Sequence, residues 1–261
     1  MDPYEAAGLA VAAFAGGAIN AVAGGGSLVS FPALLAAGYP SKAANVTNSV
    51  ALWPGYAAGS FGYRDELRTQ GKRVRALAAP SVMGAIAGSA ILLSTPQSAF
   101  DVVVPFLILF ACGLMAAQDR LARLSTTKRL AARHGEHVPA FAHLSIFVLA
   151  IYGAYFGAGL GILTLAVLGL LLPDDIQRSN ALKGVLSLII NGAGAVYFVA
   201  FGPVEWAPAA VMAVGSVAGG YLGVGVARRL GRRWLRRAVI SYGLVVAAVL
   251  LWKLAWSAPS S

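Results

Sequence analysis

The stretch AGGGSLVSFPALLAA at residues 23–37 returns 135 residues later as GAGLGILTLAVLGLLL at residues 157–172. Sliding the chain on itself by 135, without a gap from residue 23 to 88, places Gly24 on Gly159, Gly26 on Gly161, Asn45 on Asn180, Gly59 on Gly194, Gly84 on Gly219 and Gly88 on Gly223. With 31 glycines in 261 residues, about one glycine coincidence is expected by chance in that window. Five occur, and self-similarity at a fixed spacing marks a duplication. Each copy opens with a glycine break and continues as a short apolar segment, the pattern of a discontinuous membrane helix.

Working outward, the composition fixes the solvent. Charged residues make up 11% of the chain against about a quarter in a soluble protein, and the mean hydropathy is +0.73. Runs such as 101–117, 181–201 and 238–256 approach the ~20 residues that cross a bilayer, and no ~10-residue alternation suggests barrel strands. The expected class is all-α integral membrane. The N-terminus has no basic n-region, so residues 8–22 are assigned to the fold and not to a cleaved signal. Cys112 is the single cysteine, which excludes a disulfide framework.

The net charge of +10 is concentrated in three loops. Arg64, Arg68, Lys72, Arg73 and Arg75, then Arg120, Arg123, Lys128, Arg129 and Arg133, then Arg228, Arg229, Arg232, Arg233, Arg236 and Arg237 account for sixteen of the twenty basic residues. Loops 94–100 and 201–206 have none. The positive-inside rule puts the basic loops in the cytoplasm and makes both termini extracytoplasmic. Charge on the loops implies anionic lipid as a cytoplasmic partner and not nucleic acid. Under the 135 shift a basic loop falls on a bare one, so the halves are expected to be inverted-topology repeats.

Full spans are expected at about 44–61, 76–93, 101–117, 181–199, 207–227 and 238–256. Each trio is preceded by two shorter arms, 8–22 with 27–37 and 142–156 with 161–172. A 12-residue arm reaches only ~18 Å, so each pair reads as a re-entrant or broken-helix hairpin. The domains follow as a first repeat at 1–117, a basic cytoplasmic linker at 118–141 and a second repeat at 142–261. Small residues along the spans permit close packing, including a homodimer.

Candidate binding residues lie at the breaks and just after them. Gly24, Gly25, Gly26 and Ser27 in the first turn, with Gly159 and Gly161 in the second, bring bare amides to membrane depth, where helix N-termini attract anions. The next helix in each half begins with polar residues. Asn45 and Asn48 in the first half, and Asn180 and Lys183 in the second, supply amide and ammonium donors suited to an oxyanion. Helix capping and interhelical bonding compete as readings of the polar residues there, and close packing is the reading preferred for Gly219, Gly220, Gly223 and Gly225. Asn20, Trp53, Tyr56, Tyr152, Tyr155, Ser187 and Asn191 are further polar groups of undetermined direction.

None of the ten acidic residues falls deep in an expected span, so the buried carboxylate of a cation carrier is missing. His134, His137 and His143 lack zinc-ligand spacing, and no Walker loop or nucleophile elbow is evident. No metal, cofactor or catalytic residue is therefore expected, and an enzyme is not.

The N-terminal run GGAINAVAGGGSLVSFPALLAAGYPSKAANVTNSVAL, with its copy GAYFGAGLGILTLAVLGLLLPDDIQRSNALKGVLSLIINGAGAVYF, resembles the TauE/SafE family of sulfite-exporter-like permeases. The resemblance covers essentially the whole chain, and in its first motif the glycine turn, Pro32 and the helix start at Asn45 occur together in order. The resemblance implies a multi-pass inner-membrane carrier of small anions, often sulfur oxyanions or organosulfonates, moved outward in many members. Where many members have Gly-Thr at the polar helix start, this chain has Ala44, Asn45, Val46 and Thr47. The expected function is a secondary transporter of a small anion by alternating access around a midplane site. An anion channel of the same fold, or a membrane assembly factor, is the alternative.

Overall fold

The computed structural model describes residues 1–22, 24–61, 64–129, 138–172, 174, 176–230 and 232–257, with side chains at 1–21, 24–60, 65–121, 138–172, 174, 177–222 and 236–256. Ala23, Arg133, His134 and His137 lie outside the described residues. So do the side chains of Arg64, Arg123, Lys128, Arg129, Arg228, Arg229, Arg232, Arg233 and Trp234, and the packing of Gly223 and Gly225.

The helices are α1 Pro3–Val22, α2 Ser27–Ala36, α3 Ser41–Phe61, α4 Arg64–Arg68, α5 Gly71–Ser94, α6 Gln97–Arg129, α7 Ala140–Tyr155, α8 Leu160–Leu171, α9 Ile176–Phe201, α10 Trp206–Leu230 and α11 Arg232–Ser257. No strand occurs among the described residues. Among the described residues four segments, Gly71–Ser94, Gln97–Leu121, Gln177–Phe201 and Arg236–Trp256, are long and apolar enough to cross a membrane. The other two expected spans fall in α3, whose first turns carry Lys42, Asn45, Thr47, Asn48 and Ser49, and in α10, whose described apolar part ends at Leu222.

Local chemistry sets the boundaries. Asp2 accepts the Glu5 amide at 2.7 Å with Pro3 at the first helical position, so α1 starts five residues before the expected arm. Thr95 is extended ahead of Pro96 and ends α5, and Pro139 opens α7. Helix α6 continues past residue 117 to Arg129, so the first part of the expected linker is helical.

Each short arm doubles back on the helix before it. Gly16 of α1 faces Gly26 and Ser30, and the Tyr39 hydroxyl, just past α2, donates to Glu5 at 2.8 Å. Two glycine seams hold the bundle. A methyl on Gly84 or Gly88 of α5 would meet the Phe147 or Ile151 carbonyl of α7, and one on Gly215 or Gly219 of α10 would meet the Ala10 or Phe14 carbonyl of α1. In both seams glycines four apart let backbones approach. Gly220 packs against Gly55, which places Gly219 and Gly220 in helix packing. The contacts α1–α10 and α5–α7, α3–α10 and α5–α9, and α2–α11 and α6–α8 occur as pairs, joined by the self-paired α3–α9 and α6–α11.

The bundle has two chemically different ends. At one, Ser41 and Gln97 donate to Asp101 at 2.5 and 2.9 Å, Lys42 reaches the Leu93 carbonyl, and the Glu205 amide meets Thr47. At the other, Arg73 pairs with buried Asp174 at 2.7 Å, Arg178 joins at 3.3 Å, and Arg236 pairs with Asp119 at 2.7 Å. Because α5 and α9 each begin at the second end and finish at the first, these are opposite faces, one with the bare loops and one with the basic residues.

Candidate functional site

The two glycine turns meet at the centre of the bundle. Gly24 and Gly159 both have φ near +80°, and Gly157 has +77°, backbone that a side chain disfavours. The turns close alike, with Gly24 donating to the Ile19 carbonyl and Gly157 to the Tyr152 carbonyl, each five residues back. A Cβ built on Gly24 would lie 2.7 Å from the Gly161 Cα, so the break before α2 rests directly on the first turn of α8.

A neighbouring side chain braces each turn. Asn20 accepts the Gly26 amide at 2.7 Å, and the Tyr152 hydroxyl donates to the Ala158 carbonyl at 2.5 Å. The free amides expected at the first turn are thus partly used within the protein. Leu28 and Val29 donate back to the Gly25 and Gly26 carbonyls, and Ile162 and Leu163 to the Gly159 carbonyl.

Beside the Gly24–Gly161 contact lies a narrow cavity of about 30 Å³. Among the expected site residues it brings together Gly24, Gly161, Asn180 and Lys183. Asn20, Tyr56 and Ser187, polar groups without a direction in the sequence, also line it, as do Ala21, Gly55, Gly59, Ser60 and Gly184. The latter group was missed. The signal was present as helical stripes, Asn180, Lys183, Gly184 and Ser187 at i, i+3, i+4 and i+7 of α9, and Gly55, Gly59 and Tyr56, Ser60 at i, i+4 of α3.

The remaining expected residues lie elsewhere. Gly25 packs on Met115, Gly26 on Gly16 and Asn20, and Gly159 against Leu114 and Ala111. Ser27 is buried at the start of α2. Asn45 and Asn48 are 0% and 1% exposed, on the side of the turns facing the bare loops. Asn45 gives its NH₂ to the Tyr155 carbonyl at 2.9 Å, while its Oδ1 and that of Asn48 have no partner. Each such buried acceptor costs ~1–3 kcal/mol.

Chemically the cavity is a donor-rich recess. Lys183 is 7% exposed, the Ser187 hydroxyl is buried without a partner, and Asn20, Asn180 and Ser60 add amides and a hydroxyl. Among the described lining residues Lys183 is the one cation, and there is no carboxylate. Of the remaining polar residues, Asn191 donates to the Ser187 carbonyl, Tyr155 packs edge-on to Phe100, and His143 sits against the Pro139 carbonyl.

The sulfite exporter TauE/SafE family model matches residues 9–250. A "Probable membrane transporter protein" of Haemophilus influenzae is 26% identical over 245 residues, covering 91% of each chain. The "Probable membrane transporter protein ORF9" of a Sinorhizobium species is 25% identical over 250 residues, 93% of this chain and 91% of its own. The "Probable membrane transporter protein YfcA" of Escherichia coli K12 is 22% identical over 236 residues, 90% and 86%. No solved structure matches the chain.

Proposed function

This chain belongs to the sulfite exporter TauE/SafE family, a family of membrane transporters, and from that premise we propose that it is a secondary transporter of a small oxyanion such as sulfite or a small sulfonate. The observation that carries this reading is the cavity beside the Gly24–Gly161 contact, where the Lys183 ammonium stands among Asn20, Asn180, Ser60 and Ser187 with no carboxylate among the described lining residues. An ammonium in the lining favours a negatively charged occupant over a neutral or cationic one. Hydroxyl and amide donors around one ammonium match the acceptor-only surface of an oxyanion.

The pairing of helix contacts supports an inverted arrangement, since exchanging α1 with α7, α2 with α8, α3 with α9, α5 with α10 and α6 with α11 maps most of the contacts, the largest among them, onto a partner. Such halves rock about a central site. The basic end is read as cytoplasmic, which puts the chain in the inner membrane with its termini outside and anionic lipid against the basic loops. The narrowness of the cavity favours a carrier over an open pore. An inside-negative potential drives anion exit by ~2.3 kcal/mol per charge per 100 mV, so export proceeds without a coupled ion.

The test is uptake of sulfite, thiosulfate, sulfoacetate, taurine, sulfate and acetate by liposomes holding the purified protein under an imposed potential. Saturable flux of at least one anion, responding to the sign of the potential and lost in Lys183→Gln, is expected. Flux of none of them, or full flux in Lys183→Gln, contradicts the assignment.

A further inference from the structure

We propose that Gly59 and Gly184 are the size filter of the Lys183 cavity, their two missing side chains leaving the room that fixes the largest anion admitted. This inference rests on the transport reading above. It adds which residues choose among anions of like charge, a choice the Lys183 ammonium cannot make.

Gly24, Gly55, Gly59, Gly161 and Gly184 all line the cavity. Packing explains three of them. A Cβ on Gly24 or Gly161 would lie 2.7 or 2.8 Å from the other's Cα, and one on Gly55 would lie 2.7 Å from the Ser216 carbonyl oxygen, so backbones meet at these positions. All three are buried. The other two differ. Among the described residues a Cβ on Gly59 would meet Ala21 alone, its Cβ at 3.6 Å, and one on Gly184 would meet the Ser60 hydroxyl alone, at 3.4 Å. Both are ordinary contact distances, neither glycine has a positive φ, and both are half-buried.

A glycine inside a helix is less stable there than an alanine, because it has more backbone freedom to lose. Gly59 in α3 and Gly184 in α9 serve neither a turn nor a close approach of backbones, and what their bare Cα atoms leave is space. That space belongs to the cavity, since Ala21 and Ser60, which a methyl would approach, line it too. It also adjoins the donors. Gly184 falls between Lys183 and Ser187 in the α9 stripe, and the Ser187 hydroxyl is buried without a partner. A cavity of about 30 Å³ has little room to spare, because ~10–15 Å³ already holds one water. A methyl at either position would take a substantial part of it and leave every donor in place. In a fitted pocket one methylene shifts discrimination by roughly 10–200-fold.

The experiment uses the purified full chain in detergent and reads the binding of sulfite, methanesulfonate, ethanesulfonate and propanesulfonate from the ligand-induced rise in unfolding temperature. The wild-type chain is expected to bind up to a limiting size. Gly59→Ala and Gly184→Ala should each weaken the largest anion bound by roughly tenfold or more and move the limit to a smaller one. Ala21→Gly, which removes the methyl facing Gly59, should restore the limit in the Gly59→Ala chain and not in the Gly184→Ala chain. Neither single variant should lower the unfolding temperature without ligand, since alanine suits both helices, so a lost anion is not a lost fold. Lys183→Gln should weaken all the anions alike. Equal binding of all four by the wild-type chain, an unmoved limit in the two variants, or a loss in Gly59→Ala that Ala21→Gly does not reverse overturns the filter. Binding with an unmoved limit defeats this inference alone, whereas binding of none, with no saturable flux in liposomes, defeats the transport reading and the filter with it.

Discussion

At the first glycine turn Asn20 accepts a backbone amide, and at the second Tyr152 donates to a backbone carbonyl. The two backbones are alike, with left-handed glycines and matching bonds back to Ile19 and Tyr152. Their surroundings are not. The helix that follows the second turn presents Asn180 and Lys183 to a cavity, and the helix that follows the first buries Asn45 and Asn48 in packed protein. The two self-similar stretches thus share a backbone device while their side chains and packing differ.

The mated glycines provide the largest expected difference. Gly24→Ala places a methyl against the Gly161 backbone in left-handed conformation and should cost about 4 kcal/mol. Gly159→Ala is strained equally, but its nearest neighbour is the Leu114 side chain at 3.3 Å, which can turn away, so about 2 kcal/mol is expected. Thermal unfolding in detergent measures both, and equal losses would break the comparison. Buried and exposed ion pairs of the basic end differ next. Arg73→Gln leaves Asp174, 3% exposed, short of its 2.7 Å partner and should cost about 3 kcal/mol. Asp65→Asn, which removes a pair exposed on both sides, should change stability by less than about 0.5 kcal/mol in the same assay.

The braces sharpen the contrast at smaller scale. Asn20→Ala strands the buried Gly26 amide for about 2 kcal/mol, and Tyr152→Phe removes a donor from a carbonyl for about 1 kcal/mol, both read by denaturation midpoint. The smallest effect is alkaline. Burial, and then the bond to Glu5, push the Tyr39 hydroxyl up to about 12 from its usual 10, favouring the neutral form. Its contribution is complete below pH 10, declines between 10 and 12 and is gone above. Tyr39→Phe should remove that decline from a stability profile taken over the same range.

Four of the six expected spans, the short arms folded on the helix before them and the glycine turns were legible because each rests on a local rule, hydropathic length or the freedom of glycine at positive φ. The start of α1 is written in Asp2, Pro3 and Glu5, a capping arrangement that lies outside the apolar run at 8–22. The split between Asn45 and Asn180 was not. Both occupy the same place in the repeat, and only the relative placement of the halves, a property of long-range packing, decides which one lines a cavity. Ser60 and Gly184 were hidden for a related reason, since a small residue acquires meaning only from the helix opposite it.

The central claim, that one small oxyanion at a time is carried through the Lys183 cavity, is tested most directly by counterflow. Liposomes loaded with an unlabelled transported anion should accumulate the labelled anion transiently above its equilibrium level, with wild-type protein and not with Lys183→Gln. Labelled anion that merely equilibrates, at a rate proportional to its concentration and indifferent to the internal load, would contradict it.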